Sequence, residues 1–358
     1  MTSSLAGVVP GIIDAHIHQW DPFSTPREAS RLAPLYARAP RLLERALPLL
    51  APLADRELVI TPRHVGSRYL PATYAADAAG TVAAVGVPVE AVLHVEASWH
   101  DPDPVGETRW VEGLPFGQDG APRLAGIIAH ADPRHADVAQ VLDRHLAASD
   151  RVKGIRRTAA WHADRGVKNF AEEDGMLESP EFLRGFAAVA ERGLTFDAWV
   201  YAGQLGQVAR LASEYPETTI VLDHYGTPVG VFGPMGKGTT RDAASRADLL
   251  SRWRDDIAAV AAHPNVVAKQ SGFAFPPLGC REVGIGRDDL AALAAPLIEH
   301  TADVFGPERQ VFGSNFPMDK SLTEHGTVVG ALHDVLAPRG AELLAKVFRE
   351  NAVRVYRL

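Results

Sequence analysis

Short apolar runs recur along the whole chain, separated by longer segments of mixed character. Eight of these runs are rich in Val, Ile, Leu and Ala, and most are continuous rather than alternating, as in strands buried on both faces. We predict strands over residues 12–17, 91–97, 124–131, 152–158, 194–200, 219–224, 266–271 and 309–314. The pattern therefore indicates a sheet that is covered on both sides.

Helical periodicity appears between the strands. The clearest helix begins at Ser179 and Pro180, a capping residue followed by a first-turn proline, and ends before Gly193. Similar patterns predict helices over residues 133–148, 204–215, 247–262, 288–305 and 341–354. Strands that alternate with helices imply a parallel sheet, and eight such units favour a closed (β/α)8 TIM barrel. We predict one barrel domain over residues 1–358.

The long irregular segments follow strands, where the mouth of a barrel is built. They cover residues 21–74, 98–123, 159–178, 225–246 and 272–287. Residues 21–74 are predicted to be a helical lid insertion, whose apolar part, residues 32–54, includes Leu35, Tyr36, Leu42, Leu43, Leu47 and Leu50. Two interpretations stay open, namely a cap that stabilises the barrel and a cover for a bulky apolar substrate.

Composition narrows the class of protein. The chain has 358 residues, 46% of them hydrophobic, and its net charge of -8 argues against nucleic acid or an anionic membrane as partner. Cys280 is the single cysteine, and neither a signal peptide nor an apolar run of about 18 residues is present. We predict a cytoplasmic enzyme with a small-molecule substrate, and the sequence leaves homo-oligomerisation open.

A glycine-rich segment superficially resembles a phosphate-binding loop. Residues 233–239 contain glycines and Lys237, but the first glycine is misplaced and Gly238 stands where Ser or Thr is required. Because no strand directly precedes it either, we predict a mobile loop at the mouth.

Ligand-type side chains end many of the predicted strands. His16 and His18 lie two apart on the first strand, so their side chains point to the same side. Later strand ends supply Glu96, His130, Arg156, Arg157, Asp197, Asp223, His224, Lys269 and Asn315, with Trp161, His162, Tyr201 and Asp319 just beyond. Histidine and carboxylate are ligands for Zn, Fe and Mn, so the repetition predicts a metal site.

The sequence also predicts where several other polar side chains lie. Arg156 and Arg157 cannot both point inward on a strand, so one is expected to bind substrate and the other to form an outer ion pair. The histidines in predicted helices and loops are expected at the surface, namely His64, His100, His135, His145, His263, His300, His325 and His333.

Several motifs together resemble the amidohydrolase superfamily, and in particular its branch of fuconolactone and pyrone-dicarboxylate lactone hydrolases. They are Asp14-Ala15-His16-Ile17-His18, His94-Val95-Glu96-Ala97, Gly154-Ile155-Arg156, Asp223-His224-Tyr225-Gly226, Phe312-Gly313-Ser314-Asn315-Phe316-Pro317 and the closing Asn351-Ala352. The resemblance implies a (β/α)8 barrel with a mouth that can hold metal.

The chain departs from the family pattern in two places. Asn315 stands where family hydrolases usually carry the Asp that accepts a proton from the attacking water. Strand five also lacks the histidine found in dinuclear members. His162 is expected to replace that histidine, and Asp319 is expected to replace the lost carboxylate.

These departures shift the predicted reaction towards oxygen chemistry, which a small dinuclear group of the superfamily performs. We predict a dinuclear non-haem iron oxygenase that hydroxylates an unactivated C–H of an apolar organic acid or its thioester. The predicted ligands of its two divalent ions, iron first and Mn or Zn as alternatives, are His16, His18, Glu96, His162, His224 and Asn315. Arg156, Lys269, Trp161 and Tyr201 are predicted to bind substrate, and Asp319, Glu96 and Asn315 to act in catalysis.

Two alternatives remain. The first is a metal-dependent hydrolase of a lactone, ester or amide in which Asp319 is the base. The second is a degenerate barrel that only binds a ligand.

Overall fold

Eight parallel strands form the centre of the protein. The computed structural model describes residues 4–27 and 33–358, apart from the side chains of residues 47 and 48. The strands are β1 (Ile12–Ile17), β2 (Val89–Val95), β3 (Arg123–His130), β4 (Val152–Arg156), β5 (Thr195–Ala198), β6 (Ile220–Leu222), β7 (Val266–Gln270) and β8 (Gln310–Phe312). Each predicted strand is present, although most are shorter than predicted or shifted by one or two residues.

The strands are arranged in sequence order, each paired in parallel with the next. The first and last strands meet just beyond β8, where Ile17 bridges to Phe316. Two backbone bonds of 2.9 Å reinforce this seam, from Asn315 N to His16 O and from His18 N to Phe316 O. The sheet is thus a nearly closed barrel, and the predicted (β/α)8 class is confirmed.

Helices occupy every connection between consecutive strands. Before β2 come α1 (Ala33–Arg38), α2 (Pro40–Leu50), α3 (Leu53–Leu58), α4 (Pro62–Gly66), α5 (Pro71–Ala78) and α6 (Gly80–Val85). One helix then follows each of β2 to β7: α7 (Val105–Glu112), α8 (Val138–Ala148), α9 (Pro180–Glu191), α10 (Leu205–Glu214), α11 (Ala243–Ala261) and α12 (Arg287–Phe305). After β8 come α13 (His325–Leu336), α14 (Ala341–Ala345) and α15 (Asn351–Tyr356).

Local chemistry explains the helix that was predicted most clearly. Ser179 accepts a hydrogen bond from Phe182 N at 3.3 Å, and Pro180 opens α9, so the predicted cap is confirmed. The predicted helix over 341–354 is instead divided, because a π-helical turn at Lys346–Glu350 separates α14 from α15. Among the described helices, none has the length and apolar character needed to cross a membrane.

Short helices α1 to α4 lie in the segment after β1, and the apolar residues of this segment are only partly covered. Tyr36 is buried, whereas Leu42 is 65% exposed and Leu50 is 80% exposed. Leu32 and the side chain of Leu47 lie outside the described part of the chain. Neither α3 nor α4 contains a buried residue. Whether the insertion acts as a lid stays a prediction.

Three of the histidines expected at the surface are buried. His145, His325 and His333 are almost completely shielded from solvent, so that prediction was wrong for them. His145 and His325 bond to neighbours from other elements: His145 Nδ1 pairs with the Thr108 hydroxyl at 2.8 Å, and His325 Nδ1 pairs with the Thr81 hydroxyl at 2.9 Å. The sequence pattern of the helices did not show that these three side chains lie on buried helix faces.

Candidate active site

The side chains of His16 and His18 extend from β1 into the mouth of the barrel, on the same side as expected. Their ring centroids are 5.0 Å apart. The His224 ring, supplied by the segment after β6, lies 4.5 Å from His16. All three histidines are buried. Three imidazoles from two separate parts of the chain therefore converge.

A backbone turn after β6 brings two consecutive side chains to this place. His224 and Tyr225 have positive φ angles of 54° and 60°. In an extended strand, Asp223 and His224 would point to opposite faces, but the left-handed turn directs both inward. Gly272 makes the turn possible, since a Cβ there would lie 2.6 Å from His224 Nδ1.

Among the described residues, His16, Asp223 and His224 form the group best arranged to hold a metal ion. Each offers one ligand atom, and these atoms lie within 4.8 Å of one another. His18 is adjacent through its contact with the His16 ring. Nitrogen and carboxylate donors of this kind suit zinc and other first-row divalent metals.

Hydrogen bonds orient two of the imidazoles. His18 Nδ1 lies 2.9 Å from the Val95 carbonyl oxygen, so it donates and leaves Nε2 as the ring nitrogen with a lone pair. His224 Nδ1 is 2.8 Å from the Ser271 hydroxyl, which likewise directs Nε2 outward. Burial lowers the pKa of His16 and His18 well below its usual range and lowers that of His224 to about 3. The rings are therefore neutral at pH 7, the form that ligates metals.

Lys269 lies beneath this group and is completely buried. Its Nζ is 2.5 Å from Asp197 Oδ2, 2.9 Å from Asp223 Oδ1 and 3.2 Å from His16 Nδ1. Burial opposes the charge, but Asp197 and Asp223 together raise the pKa of Lys269, so it remains an ammonium. Lys269 thus holds Asp223 and His16 in place, and it is not among the residues that line the cavity described below.

Glu96 and Arg156 form a second buried pair. Arg156 Nε donates to Glu96 Oε1 at 2.8 Å, and its NH2 donates to the Glu96 carbonyl oxygen at 2.7 Å. Burial alone would raise the pKa of Glu96, but Arg156, His130 and the Ser98 N–H together lower it to about 2. Both residues line the cavity. Glu96 is therefore ionised and paired, which makes it a weak proton acceptor.

Asn315 and Asp319 are coupled through one hydrogen bond. Asn315 Nδ2 donates to Asp319 Oδ1 at 2.7 Å, and Ala274 N donates to Asp319 Oδ2 at 3.0 Å. Asn315 lines the cavity, whereas Asp319 is fully buried behind it. Burial raises the pKa of Asp319 to about 8, so this carboxyl is protonated at neutral pH.

Three other predicted site residues are placed away from the cluster. His162 Nδ1 accepts a hydrogen bond from Asp164 N at 3.0 Å, and its ring packs edge-on against Tyr201 at 6.1 Å. The Tyr201 hydroxyl donates to the Lys168 carbonyl oxygen at 2.6 Å. His162, Tyr201 and Trp161 are all absent from the residues lining the cavity. The structure therefore does not bring them together with His16 and His224.

The neighbouring glycine-rich loop has a structural partner. The Asp164 carboxylate accepts hydrogen bonds from the backbone N–H groups of Lys237, Gly238 and Thr239 at 2.8–3.1 Å. A protein carboxylate thus occupies the amide groups that a phosphate loop would offer to a ligand. These hydrogen bonds attach the loop to Asp164, and its mobility stays a prediction.

A cavity of about 1220 Å³ opens above the cluster. Its floor includes His18, Glu96, Arg156, His224 and Asn315. Residues of α2, α3 and α4 between Leu50 and Val65 also line the cavity.

The family comparison agrees with this arrangement. A family model described as Amidohydrolase matches residues 13–358, which is nearly the whole chain. The chain belongs to the amidohydrolase family. It is thus an enzyme of the metal-dependent amidohydrolase superfamily, as its motifs suggested.

Two curated relatives are similar in sequence to this amidohydrolase. An uncharacterised protein, y4mH of Sinorhizobium fredii, is 29% identical over 267 residues, which cover 74% of this chain and 80% of the relative. An L-fucono-1,5-lactonase of Burkholderia multivorans is 28% identical over 196 residues, covering 55% of this chain and 58% of the lactonase.

Solved structures support the same fold. A Burkholderia multivorans amidohydrolase with bound HEPES has a TM-score of 0.70 at 20% identity, with 97% of this chain and 99% of that chain covered. A crystal form with bound Zn has a TM-score of 0.68 with the same identity and coverage. Amidohydrolase 2 from Bifidobacterium longum subsp. infantis has a TM-score of 0.57 at 21% identity, with 98% and 100% covered.

The residues of this amidohydrolase fit one divalent ion. The superfamily uses divalent metals, and His16, His224 and Asp223 supply two neutral imidazoles and a carboxylate. Asp223 shares the Lys269 ammonium with Asp197, and Glu96 is paired with Arg156. Because His162 lies elsewhere and Asp197 is bound to Lys269, the structure offers no equivalent second set around this cluster within the described chain.

Asp223 is the main residue that was missing from the predicted ligand set. Both residues of the Asp223-His224 pair were named at the end of strand six, but only His224 was predicted as a ligand. Asp197 was named at a strand end without a role and Ser271 was missed, because their roles depend on contacts with Lys269 and His224.

Proposed function

We propose that this amidohydrolase is a metal-dependent hydrolase of lactones or related esters. The observation that carries the proposal is the cluster of neutral imidazoles at the barrel mouth. Two of them, His18 and His224, line the cavity and are fixed through Nδ1 by Val95 and Ser271. Rigid second partners of this kind are typical of histidines that ligate a metal. The L-fucono-1,5-lactonase relative supports a lactone as the reacting group.

In this proposal, His16, His224 and Asp223 hold the ion, with His18 beside them. A bound divalent metal supplies a water of lowered pKa and polarises a carbonyl oxygen. Lys269 keeps Asp223 ionised and positions His16, while the Glu96–Arg156 pair fixes the adjacent wall. Iron and a second metal are not part of the proposal.

Asp319 is proposed as the proton acceptor; because it lies behind Asn315 and accepts a hydrogen bond from Asn315 Nδ2, this role requires that contact to open during the reaction. Its raised pKa of about 8 means that it accepts a proton only when the pH approaches or exceeds that value. We therefore expect kcat/KM to rise about tenfold per pH unit below pH 8 and to level off above it. Asp319→Asn should remove this rise, and a native profile that is flat from pH 6 to 9 would argue against the assignment.

The oxygenase prediction is not retained. None of the relatives described above is named as an oxygenase, and His162, which was expected to complete a two-iron site, contacts Asp164 and Tyr201 instead. The lost base that first favoured oxygen chemistry has a candidate replacement in Asp319, four residues from Asn315.

Metal analysis combined with an anaerobic assay tests the proposal. Protein purified without chelators is expected to contain close to one equivalent of a divalent metal and to hydrolyse lactones or aryl esters under nitrogen. Chelation should abolish the activity, and zinc or manganese should restore it. Two equivalents of iron with turnover that requires O2 would overturn the proposal.

Asn315→Asp provides an independent variant. The substitution restores a carboxylate at the cavity surface, so a hydrolase should keep or gain activity at pH 7, where Asp319 is protonated. An oxygenase has no use for this base and should not gain activity.

A further inference from the structure

The apolar side of the cavity indicates what kind of lactone or ester it accommodates. At about 1220 Å³, the cavity exceeds the roughly 300–1,000 Å³ typical of small-molecule pockets. Leu50, Leu58, Val59, Ile60 and Val65 line it on the side formed by the insertion. A small polar lactone at the floor would leave these side chains against water.

Apolar side chains connect the floor of the cavity with the side that the insertion forms. The His224 ring lies 5.9 Å from Phe275 and 6.1 Å from Trp199. Phe170 packs against Trp199 at 4.5 Å, and both Leu58 and Met318 pack against the same cluster. We name Trp199, Phe275, Phe170, Met318 and Leu58 the apolar channel; all five line the cavity.

The charged side of the cavity is already neutralised by the protein. Arg157 Nε donates to Asp132 at 3.0 Å and its NH2 to Glu172 at 3.0 Å, while Arg134 NH2 pairs with Asp132 at 2.7 Å. A substrate carboxylate would have to compete with protein carboxylates for these guanidiniums. Neutral apolar groups, by contrast, meet no such competition in the apolar channel.

Building on the proposed hydrolase function, we propose that the natural substrate is a lactone or ester with a neutral, extended apolar substituent. Its reacting carbonyl lies near His224, and its apolar part lies along Trp199 and Phe275 and ends beneath Leu58. This substrate class differs from the compact sugar lactone named for the Burkholderia relative.

A homologous series of substrates tests the proposal. We expect kcat/KM of the metal-loaded enzyme for γ-alkyl butyrolactones to rise about threefold to fourfold per methylene until the channel is filled. L-Fucono-1,5-lactone should be a poor substrate. Equal efficiency for short and long alkyl chains, or preference for the sugar lactone, would overturn the substrate class and leave the hydrolase proposal standing.

Variants of Leu58 test whether the apolar channel causes the gain in kcat/KM per methylene. Leu58→Asn should reduce the gain per methylene and lower kcat/KM for the longest lactones at least tenfold. Leu58→Trp should shorten the preferred chain. Leu42→Asn is the matched control, because Leu42 is exposed on α2 and does not line the cavity. Thermal melting of all three variants verifies folding.

Binding measurements separate the two proposals. If no lactone or ester is hydrolysed, the hydrolase proposal fails. Calorimetry with alkyl amides, which keep a carbonyl and an apolar chain but resist hydrolysis, then still tests the apolar channel. Affinity that rises with chain length and falls in Leu58→Asn supports the channel, whereas affinity independent of chain length contradicts it.

Discussion

At the scale of single residues, burial sets the chemistry of the candidate site. Desolvation lowers the pKa of His16, His18 and His224 and raises that of Asp319. The imidazoles are thereby kept neutral and able to ligate, while the carboxyl retains its proton. The same side chains at the surface would titrate in the ordinary range, so the site depends on its closed surroundings.

The first prediction concerns the metal ligands. His16→Ala and His224→Ala should each lower the metal bound per protein by at least about tenfold, since even supporting residues of metal sites matter by 10–100-fold. Elemental analysis after dialysis provides the measurement. His162→Ala is the matched control and should retain its metal, because its ring nitrogen bonds to Asp164 N. Undiminished metal in both His16 and His224 variants would contradict the ligand assignment.

The second prediction concerns the pH dependence of stability. The pKa of Asp319 rises from its ordinary 3.8 to about 8 on folding, so its contribution is complete below pH 4 and is lost as the pH rises through 8. In that window the folded state holds one extra proton, and the free energy of unfolding should fall by about 1.4 kcal/mol per pH unit through this group. Urea unfolding should show that Asp319→Asn removes this slope.

An exposed carboxyl gives the control for Asp319. Asp248 is exposed on α11, and Asp248→Asn should leave the native dependence on pH unchanged. Parallel curves for Asp319→Asn and the native protein between pH 5 and 8 would mean that Asp319 does not carry the proton.

At the scale of elements, ion pairs hold α3 across the cavity mouth. Lys168 Nζ donates to Asp55 at 2.7 Å, and Arg281 pairs with the Glu57 side chain and donates to the Glu57 carbonyl oxygen at 3.0 Å. Because α3 has no buried residue, its position depends heavily on these links to the loops after β4 and β7. The apolar side of the cavity that the insertion forms is therefore held less firmly than the floor.

The third prediction follows from these ion pairs. The double variant Asp55→Asn, Glu57→Gln should accelerate hydrogen exchange over residues 53–66 while lowering global stability by no more than about 2 kcal/mol, because partly exposed pairs contribute about 0–1 kcal/mol each. Glu181→Gln, which removes an exposed pair with Arg184 on α9, should not alter exchange at α3. Unchanged exchange in the double variant would show that packing alone holds the helix.

At the scale of the whole molecule, Asp14 links the first strand of the barrel to the segment that follows the last strand. Its Oδ1 accepts hydrogen bonds from His16 N at 3.1 Å and Ser314 N at 2.8 Å, and its Oδ2 accepts one from the Tyr74 hydroxyl at 2.7 Å. His325 Nε2 lies 3.3 Å from the same Oδ2. Strands that are distant in sequence are thus joined by one buried carboxylate at the seam.

The fourth prediction measures this closure. Asp14→Ala should lower the free energy of unfolding by about 3–5 kcal/mol, because it leaves several buried donors without a partner. Asp14→Asn preserves an acceptor oxygen and should cost clearly less. Urea denaturation of the two variants tests this order, and a loss below about 1 kcal/mol for Asp14→Ala would show that backbone pairing closes the barrel unaided.

The order of strands and helices could be predicted because each unit carries its own pattern. Apolar runs placed β1 to β8, and Ser179 and Pro180 placed the start of α9. Strand ends were less certain, since they are set by hydrogen bonds to neighbouring strands. The segment 219–224, for example, contains only Ile220–Leu222 as strand because the chain turns at Asp223 and His224.

The sequence by itself determined the barrel, the family motifs and the convergence of His16, His18 and His224, because periodicity and strand direction follow from local residue order. Only the tertiary structure decided that Asp223 joins the histidines, that Lys269 binds Asp197 and that His162 lies elsewhere. These outcomes depend on left-handed backbone turns, on burial and on pairing between remote side chains. Such effects arise only when distant segments meet, so no local pattern encodes them.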